Sequence, residues 1–406
     1  MLIKRQVYLD NLLVFKDTQV IKIVTGIRRC GKSTLLEMYR DHLLATGVKP
    51  EQLIWLNLED GAWLELTDYK ELYRVIEKRL VAGKMNYIFL DEVQRVPDFQ
   101  KALDSLFVKK NCDLYVTGSN AFLLSGELAT LLAGRYVEIK MLPLSFKEYA
   151  SAFPGKQDYP QLYKNYLYNS SFPYTLNIKR HQDIKQYLDG IFDSIVLKDI
   201  VARKRYADVA GLERLVRFLF DNIGNLCSVK KIVDTLNSSG RKTTIPTVDG
   251  YLTALEESFI FYKAGRFDVK GKQYLQTGYK YYAADIGLRY NVLGSKPADL
   301  GHMLENVVYL ELLRRGFEVY VGKVAAAEVD FVAVKEGETA YYQVAYTVID
   351  TDGKALEREL APLRQIKDSY PKHLLTMDVT PPVNYEGIRQ LNVLDWLLAP
   401  AFEADN

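Results

Sequence analysis

The eight residues Gly26-Ile-Arg-Arg-Cys-Gly-Lys-Ser33 follow the spacing G-x-x-x-x-G-K-[ST], and the apolar run Val20–Val24 leads into them. This order fits a strand, a glycine-rich turn and a helix opening at Lys32. The turn aims several backbone N–H groups at one point, and the helix N-terminus adds its dipole. Such a turn is a cradle for polyphosphate. Lys32 supplies a point charge for the β- and γ-phosphates, and the Ser33 hydroxyl suits the Mg2+ that bridges them. The expected nucleotide contacts are Gly26, Ile27, Arg28, Arg29, Cys30, Gly31, Lys32, Ser33 and Thr34, with ATP and Mg2+ as ligands. Cys30 reads as a small-residue position, and Arg28 and Arg29 read as solvated side chains.

Further strand signals follow at Gln52–Leu58, Met85–Leu90, Cys112–Thr117 and Tyr136–Lys140, alternating with helical stretches. The alternation predicts an α/β fold in which a parallel sheet carries helices on both faces. The third strand ends in Asp91-Glu92. A carboxylate at the carboxyl end of a sheet strand is placed for Mg2+, so Asp91 and Ser33 are the expected metal contacts, and Glu92 is the expected polariser of the attacking water. The strand Leu114–Thr117 is expected between the first strand and the Asp-Glu strand, which would turn Ser119 or Asn120 towards the γ-phosphate. The same residues also suit a cap for a helix over Ala121–Leu132. Lys32, Glu92, Asn120 and Arg135 form the expected catalytic set. Arg135 is the candidate mobile cation, and its action in cis or on a neighbouring subunit is left open.

Composition narrows the class. The chain has 406 residues, a formal net charge of +2 and three cysteines, at 30, 112 and 227. That is too few and too scattered for a disulfide framework or a zinc cluster. No apolar run approaches the ~18 residues of a membrane span, and the opening MLIKRQVYLD has no apolar signal region, so a cytoplasmic location is expected.

GIRRCGKSTLL, YIFLDEVQRVPDF, LYVTGSNAFLLSGELATLLAGRY and MLPLSFKEY resemble segments of the predicted bacterial and archaeal AAA+ superfamily ATPases that carry an uncharacterised C-terminal domain. The resemblance continues through SFPYTLN, IVLKDIVARK, KYYAADIGLR and LENVVYLELLRRGFEVYVGK, and so covers nearly the whole chain. It implies an ATP-binding core over 1–150, then a winged-helix region and a nuclease-like fold.

Residues 151–205 read as a helical lid, with a turn at Phe172-Pro-Tyr174 and a helix Ile195–Arg203 whose Lys198 and Arg203 either approach nucleotide from the lid side or, as the favoured reading, line a solvated face. Residues 206–290 give helices Leu212–Ile223, Val229–Leu236 (Ser228 as N-cap) and Pro246–Glu257, then a strand Phe259–Tyr262. Three short helices ending in a strand fit a winged helix-turn-helix. Between Val201 and Pro246 there are nine Lys or Arg against four Asp or Glu. Lys230, Lys231, Arg241 and Lys242 suit phosphates, which makes nucleic acid a candidate partner through residues 201–262. Asp249, Glu256 and Glu257 on the third helix oppose tight DNA contact and leave a protein partner as the alternative.

Residues 291–406 predict helix Gly301–Arg315 and strands Phe317–Val321, Glu328–Val334 and Ala340–Thr347, an order that resembles the restriction-endonuclease-like fold. Helix Ala355–Lys367, strand Leu374–Asp378 and Leu391–Leu398 would complete it. Glu305 and Asp330 match the first two acids of that pattern, but Gln343-Val-Ala345 stands where Glu-x-Lys belongs. Gln343 retains a carbonyl ligand and Ala345 retains none, so nuclease activity is not expected. The expected activity is ATP hydrolysis driving a conformational switch. The rival readings are a non-hydrolysing nucleotide-gated binder and an ATP-regulated nuclease. Oligomerisation is possible.

Overall fold

The computed structural model of the chain describes residues 2–63, 65–118, 132, 134–155, 157–201, 208–238, 242–271, 273–294 and 299–400, without the side chains of 197–199, 276 and 277. It divides into two compact units, one over Leu2–Pro143 with Glu257–Phe259, the other over the remainder. Ser119, Asn120, Arg203, Arg241 and the expected helix Ala121–Leu132, apart from its last residue, lie outside the described residues, as does the Lys198 side chain.

The first unit opens with α1 (Gln6–Val14) and then alternates β1 (Ile21–Thr25), α2 (Lys32–Ala45), β2 (Leu53–Asn57), α3 (Tyr69–Glu77), β3 (Asn86–Asp91), α4 (Phe99–Phe107), β4 (Cys112–Gly118) and β5 (Tyr136–Lys140). The five strands pair in the order β2-β3-β4-β1-β5, all parallel. β4 thus lies between β1 and β3, as the sequence led us to expect. The strands are sandwiched between helices and read as continuous apolar runs because both faces are covered. Ile21, Ile23, Ile54, Leu56, Ile88, Leu90, Leu114 and Val116 share one core cluster with Leu72 and Ile76 of α3 and Leu103 and Leu106 of α4. α3 begins where the Asp68 carboxylate accepts the backbone N–H groups of Lys70 and Glu71.

One charge interrupts the apolar strand β1. Lys22 is fully buried and pairs with Asp113 of β4, whose other oxygen accepts from the Tyr115 hydroxyl at 2.8 Å and the Asp17 backbone N–H at 2.9 Å. The pair is tolerable because each polar atom is engaged; removing one partner from such a pair typically costs ~3–5 kcal/mol.

In the second unit, helices Phe146–Ala150, Tyr159–Asn169 and His181–Asp193 precede a π-helical turn over Ser194–Val201. Pro173–Asn177 forms a 3-10 turn at the expected break. Helices Val209–Asp221, Val229–Ser238 and Ile245–Glu257 follow, and Ser228 Oγ accepts the Lys231 N–H at 3.2 Å as the predicted cap. The expected strand Phe259–Tyr262 is instead the start of a hairpin, β6 (Phe261–Asp268) and β7 (Gln273–Ala283), with a register shift at Ala264/Arg266. That irregularity breaks the period-two pattern, which is why β7 escapes sequence reading.

After helices Ile286–Leu293 and Leu300–Arg314 come β8 (Glu318–Val324), β9 (Ala327–Lys335), β10 (Glu338–Ala345), helix Lys354–Arg364, β11 (Lys372–Thr376), β12 (Val383–Tyr385), β13 (Ile388–Asn392) and helix Val393–Leu398. The sheet order is β12-β13-β11-β10-β9-β8-β6-β7. β8, β9 and β10 form an antiparallel meander, and β11 joins β10 in parallel after the crossover helix. Because β6 pairs with β8, the sheet runs across the expected boundary at residue 290.

Candidate functional site

Parallel pairing puts the carboxyl ends of all strands in the first unit on one edge, and the Gly26–Ser33 turn leaves β1 there. Two glycines make the turn possible. Gly26 has φ +146°, and a Cβ on it would sit 2.1 Å from the Met141 carbonyl oxygen. Gly31 has φ +103° and caps α2. Arg29, at φ +68°, is a non-glycine residue held in the left-handed region within the same turn. Ile27 and Cys30 are buried, and burial pushes the Cys30 thiol above its ordinary pKa, which makes it packing and not a nucleophile.

Lys32 is buried, and its ammonium donates to the Gly26 and Ile27 carbonyls at 3.0 and 3.3 Å. Those two oxygens stand in for the acceptors that a phosphate would offer. Ser33 and Thr34 continue the first turn of α2. Arg28 lies 3.8 Å from Glu59, beside the Arg95–Glu59 contact at 3.0 Å. Burial alone would raise the Glu59 carboxyl, but Arg95, Arg28 and Arg29 hold it below its ordinary range.

β3 delivers the acids. Asp91 is buried, receives hydrogen bonds from the Thr117 and Ser33 hydroxyls, and is pushed above the usual aspartate range by burial despite both. A buried carboxylate that meets a hydroxyl across the mouth of a phosphate loop is the donor set that a hard divalent cation takes. The residues present therefore fit Mg2+, which Ser33 and Asp91 would hold. Glu92 occupies the left-handed region at φ +54°; its N–H donates to Thr117 Oγ1 at 2.9 Å, and its carboxylate accepts from the Gln94 amide.

Two residues in this arrangement were not read from the sequence. Thr117 bridges Asp91 and Glu92 from the neighbouring strand. Arg5, buried just before α1, donates to the carbonyls of Cys30 at 3.1 Å, Leu142 at 2.6 Å and Pro143 at 3.4 Å. Its guanidinium also lies 4.9 Å from the centre of the Tyr8 ring, whose hydroxyl accepts the Leu142 N–H at 3.0 Å. Arg5 thus ties the back of the phosphate loop to the segment after β5. A basic residue before an amphipathic start carries no local signal for that role.

The sequence left open whether Arg135 acts in cis or on a neighbouring subunit. Its carbonyl accepts the Ile21 N–H at 2.8 Å, at the amino end of β1, and its guanidinium pairs with Asp104 of α4 and lies 5.4 Å from the Phe107 ring. The length of β1, roughly 13 Å at the usual rise per residue, lies between Arg135 and the loop.

In the second unit, Lys230, Lys231 and Lys242 are exposed. Of the three opposing acids, Asp249 alone is exposed; Glu256 is half-buried and 3.8 Å from Lys263. The helix over Leu300–Arg314 and the strand β9 bring Glu305 and Asp330 together, as their positions suggested. Gln343 does not offer a ligand: its carbonyl accepts the Asp330 N–H at 3.3 Å and its amide donates to Glu359 at 2.9 Å. No helix among the described residues is long and apolar enough to cross a membrane.

Residues 18–150 match the AAA domain family, and residues 160–299 match a domain of unknown function. An uncharacterised protein of Haemophilus influenzae is 42% identical over 402 residues, covering 98% of this chain and 99% of its own. An uncharacterised protein of Methanocaldococcus jannaschii is 29% identical over 96% of this chain and 91% of its own. Among solved structures, a Walker-type ATPase of Pyrococcus abyssi superposes with a TM-score of 0.51 at 14% identity, over 72% of this chain and 96% of that one, a likeness of fold. The chain therefore belongs to the protein family it shares with the Haemophilus influenzae relative, whose first part is an AAA-type P-loop ATPase domain.

Proposed function

We propose that the chain hydrolyses ATP to ADP and phosphate and uses the cycle as a conformational switch. The observation that carries this reading is the linkage Ser33–Asp91–Thr117–Glu92, which joins the phosphate loop to two acids of different duty. The loop N–H groups and Lys32 hold the polyphosphate, and Lys32 exchanges its two carbonyl partners for phosphate oxygens. Mg2+, held by Ser33 and Asp91, would supply charge neutralisation on the phosphates. Glu92 accepts a proton from water as the new O–P bond forms and the bond to the leaving ADP oxygen breaks. Its present partner, Gln94, must first let go, so Gln94 acts as a brake on turnover.

Lys32→Ala should weaken ATP binding about 10- to 100-fold, the worth of one charged hydrogen bond. Glu92→Gln should keep binding and slow phosphate release about 10²- to 10⁴-fold. Equal turnover by Glu92→Gln and the unsubstituted chain removes the role of Glu92. The hold of Gln94 on Glu92 favours a second reading, a nucleotide-gated binder with negligible turnover, and the same phosphate assay decides between them.

The position of Arg135 supports action in trans, on the nucleotide of an adjoining copy, once Asp104 releases it. In the second unit, the three helices over 209–257 with the β6–β7 hairpin fit a winged helix, and the isolated bridge Cys227–Tyr279 supplies the short strand such a module has. The exposed Lys230, Lys231 and Lys242 support nucleic acid as the switched partner, with a protein as the alternative. ATP turnover measured with and without duplex and single-stranded DNA tests this: stimulation supports nucleic acid, and indifference supports a protein. The remaining strands fit a restriction-endonuclease-like outline, and a cytoplasmic location agrees with the whole.

A further inference from the structure

Four charged side chains that the ATP chemistry does not use meet inside the second unit. Lys280 of β7 is 4% exposed, and its Nζ lies 2.9 Å from Glu305 Oε1, 2.8 Å from Glu328 Oε1 and 3.9 Å from Asp330 Oδ1. The acids hold further partners. The Tyr282 hydroxyl donates to Glu305 Oε1 at 2.6 Å, His302 Nδ1 is 3.5 Å from Glu305 Oε2, and the Val344 N–H donates to Asp330 Oδ2 at 2.9 Å.

We propose that the Lys280 ammonium is the resident cation of this carboxylate cluster, standing where a divalent ion would otherwise bridge Glu305 and Asp330, so that the second unit binds no metal and cuts no phosphodiester. The proposal stands on these contacts and does not need the endonuclease-like reading of the fold or the ATPase reading of the first unit. A divalent cation takes about six or more oxygens at roughly 2.0–2.6 Å, and Nζ fills that volume with one oxygen of each acid turned towards it. Gln343, which stands where the pattern has its third acid, is engaged by Asp330 N–H and Glu359. Burial by itself would strip the proton from a lysine, but Glu305, Asp330 and Glu328 hold Lys280 above its ordinary pKa, so it stays an ammonium. Among the described residues, no group of three or more His, Cys, Asp or Glu is disposed to hold a metal.

The departure Gln343-Val-Ala345 then has a physical partner. The lysine missing from β10 is not simply lost; an ammonium from β7, a strand outside the helix-and-meander outline, neutralises the acids. Removing it should open a cation site.

The test is Mn2+ binding to the full chain without nucleotide, read from the electron paramagnetic resonance of free Mn2+. The unsubstituted chain should show no binding that Asp330→Asn removes. Lys280→Met should gain about one Mn2+ per chain, at least about tenfold tighter than background, and lose it again with Asp330→Asn. If Lys280→Met does not fold, Lys280→Met/Glu328→Gln removes one charge of each sign and carries the same measurement. Refolding of either variant only when Mn2+ is present also supports the proposal. It is overturned by Asp330-dependent Mn2+ binding in the unsubstituted chain, by Mg2+-dependent nicking of supercoiled DNA that Asp330→Asn abolishes, by folded variants that gain no ion, or by variants that stay unfolded in Mn2+. ATP turnover, governed by the first unit, is a separate readout, so failure of either reading is recognised by itself.

Discussion

Arg5→Ala tests whether the phosphate loop is held from behind. The guanidinium is buried and donates to Cys30 O at 3.1 Å and Leu142 O at 2.6 Å, with a longer contact to Pro143 O at 3.4 Å. Hydrogen bonds from a charged donor contribute about 1.5–3 kcal/mol each, so the two shorter ones amount to about 3–6 kcal/mol. Relief from burying the charge offsets part of this, leaving an expected loss of about 2–4 kcal/mol in unfolding free energy. Urea titration measures it. The loop should suffer as well, since Cys30 O lies between Gly26 and Lys32; ATP affinity should fall about tenfold, equivalent to about 1.4 kcal/mol. Affinity is measured without denaturant, where both chains are folded. Arg5→Lys keeps the charge but cannot fork between Cys30 and Leu142, so it should recover stability only in part and affinity hardly at all. An Arg5→Ala chain that loses stability yet binds ATP normally would make Arg5 a plain anchor for α1. A chain unchanged in both would refute the reasoning.

Thr117→Val keeps the shape but removes the hydroxyl shared by Asp91 and the Glu92 N–H; it should cost about 1–3 kcal/mol of stability and lower turnover with little change in metal-free ATP binding, whereas Thr117→Ser should restore turnover. The Glu59 carboxyl titrates below its ordinary value in the folded chain, because Arg95, Arg28 and Arg29 outweigh the burial that would raise it. Its contribution is therefore present above the unfolded pKa of about 4.3 and lost as pH falls through the lower folded value. Glu59→Gln should flatten the pH dependence of the unfolding free energy, read by urea titration, by less than about 1 kcal/mol across that interval, since the pairs are half exposed; an unchanged profile would show the three arginines to be idle there.

Local signals carried far in this chain. The Gly26–Ser33 spacing, the apolar strand ending in Asp91-Glu92 and the cap at Ser228 each depend on neighbours within a few residues, and the five strands of the first unit appear within one residue of their expected ends. The hairpin β6–β7 failed locally, because its register shift and the glycines Gly265 and Gly278 break the alternation on which strand reading rests. Arg135 shows a different limit: a basic residue before a strand suggests nothing about which end of the sheet it will meet.

The amino-acid order alone determined that a phosphate loop leads a parallel α/β sheet and that the pattern over 305–345 lacks its Glu-x-Lys. Tertiary structure decided which side chains complete those sites. Arg5 with Cys30, Thr117 with Asp91 and Lys280 with Glu305 meet across 25, 26 and 25 residues of chain. Contacts of that range follow from strand order and register, set by the burial of whole faces, and leave no periodic mark where the partners stand.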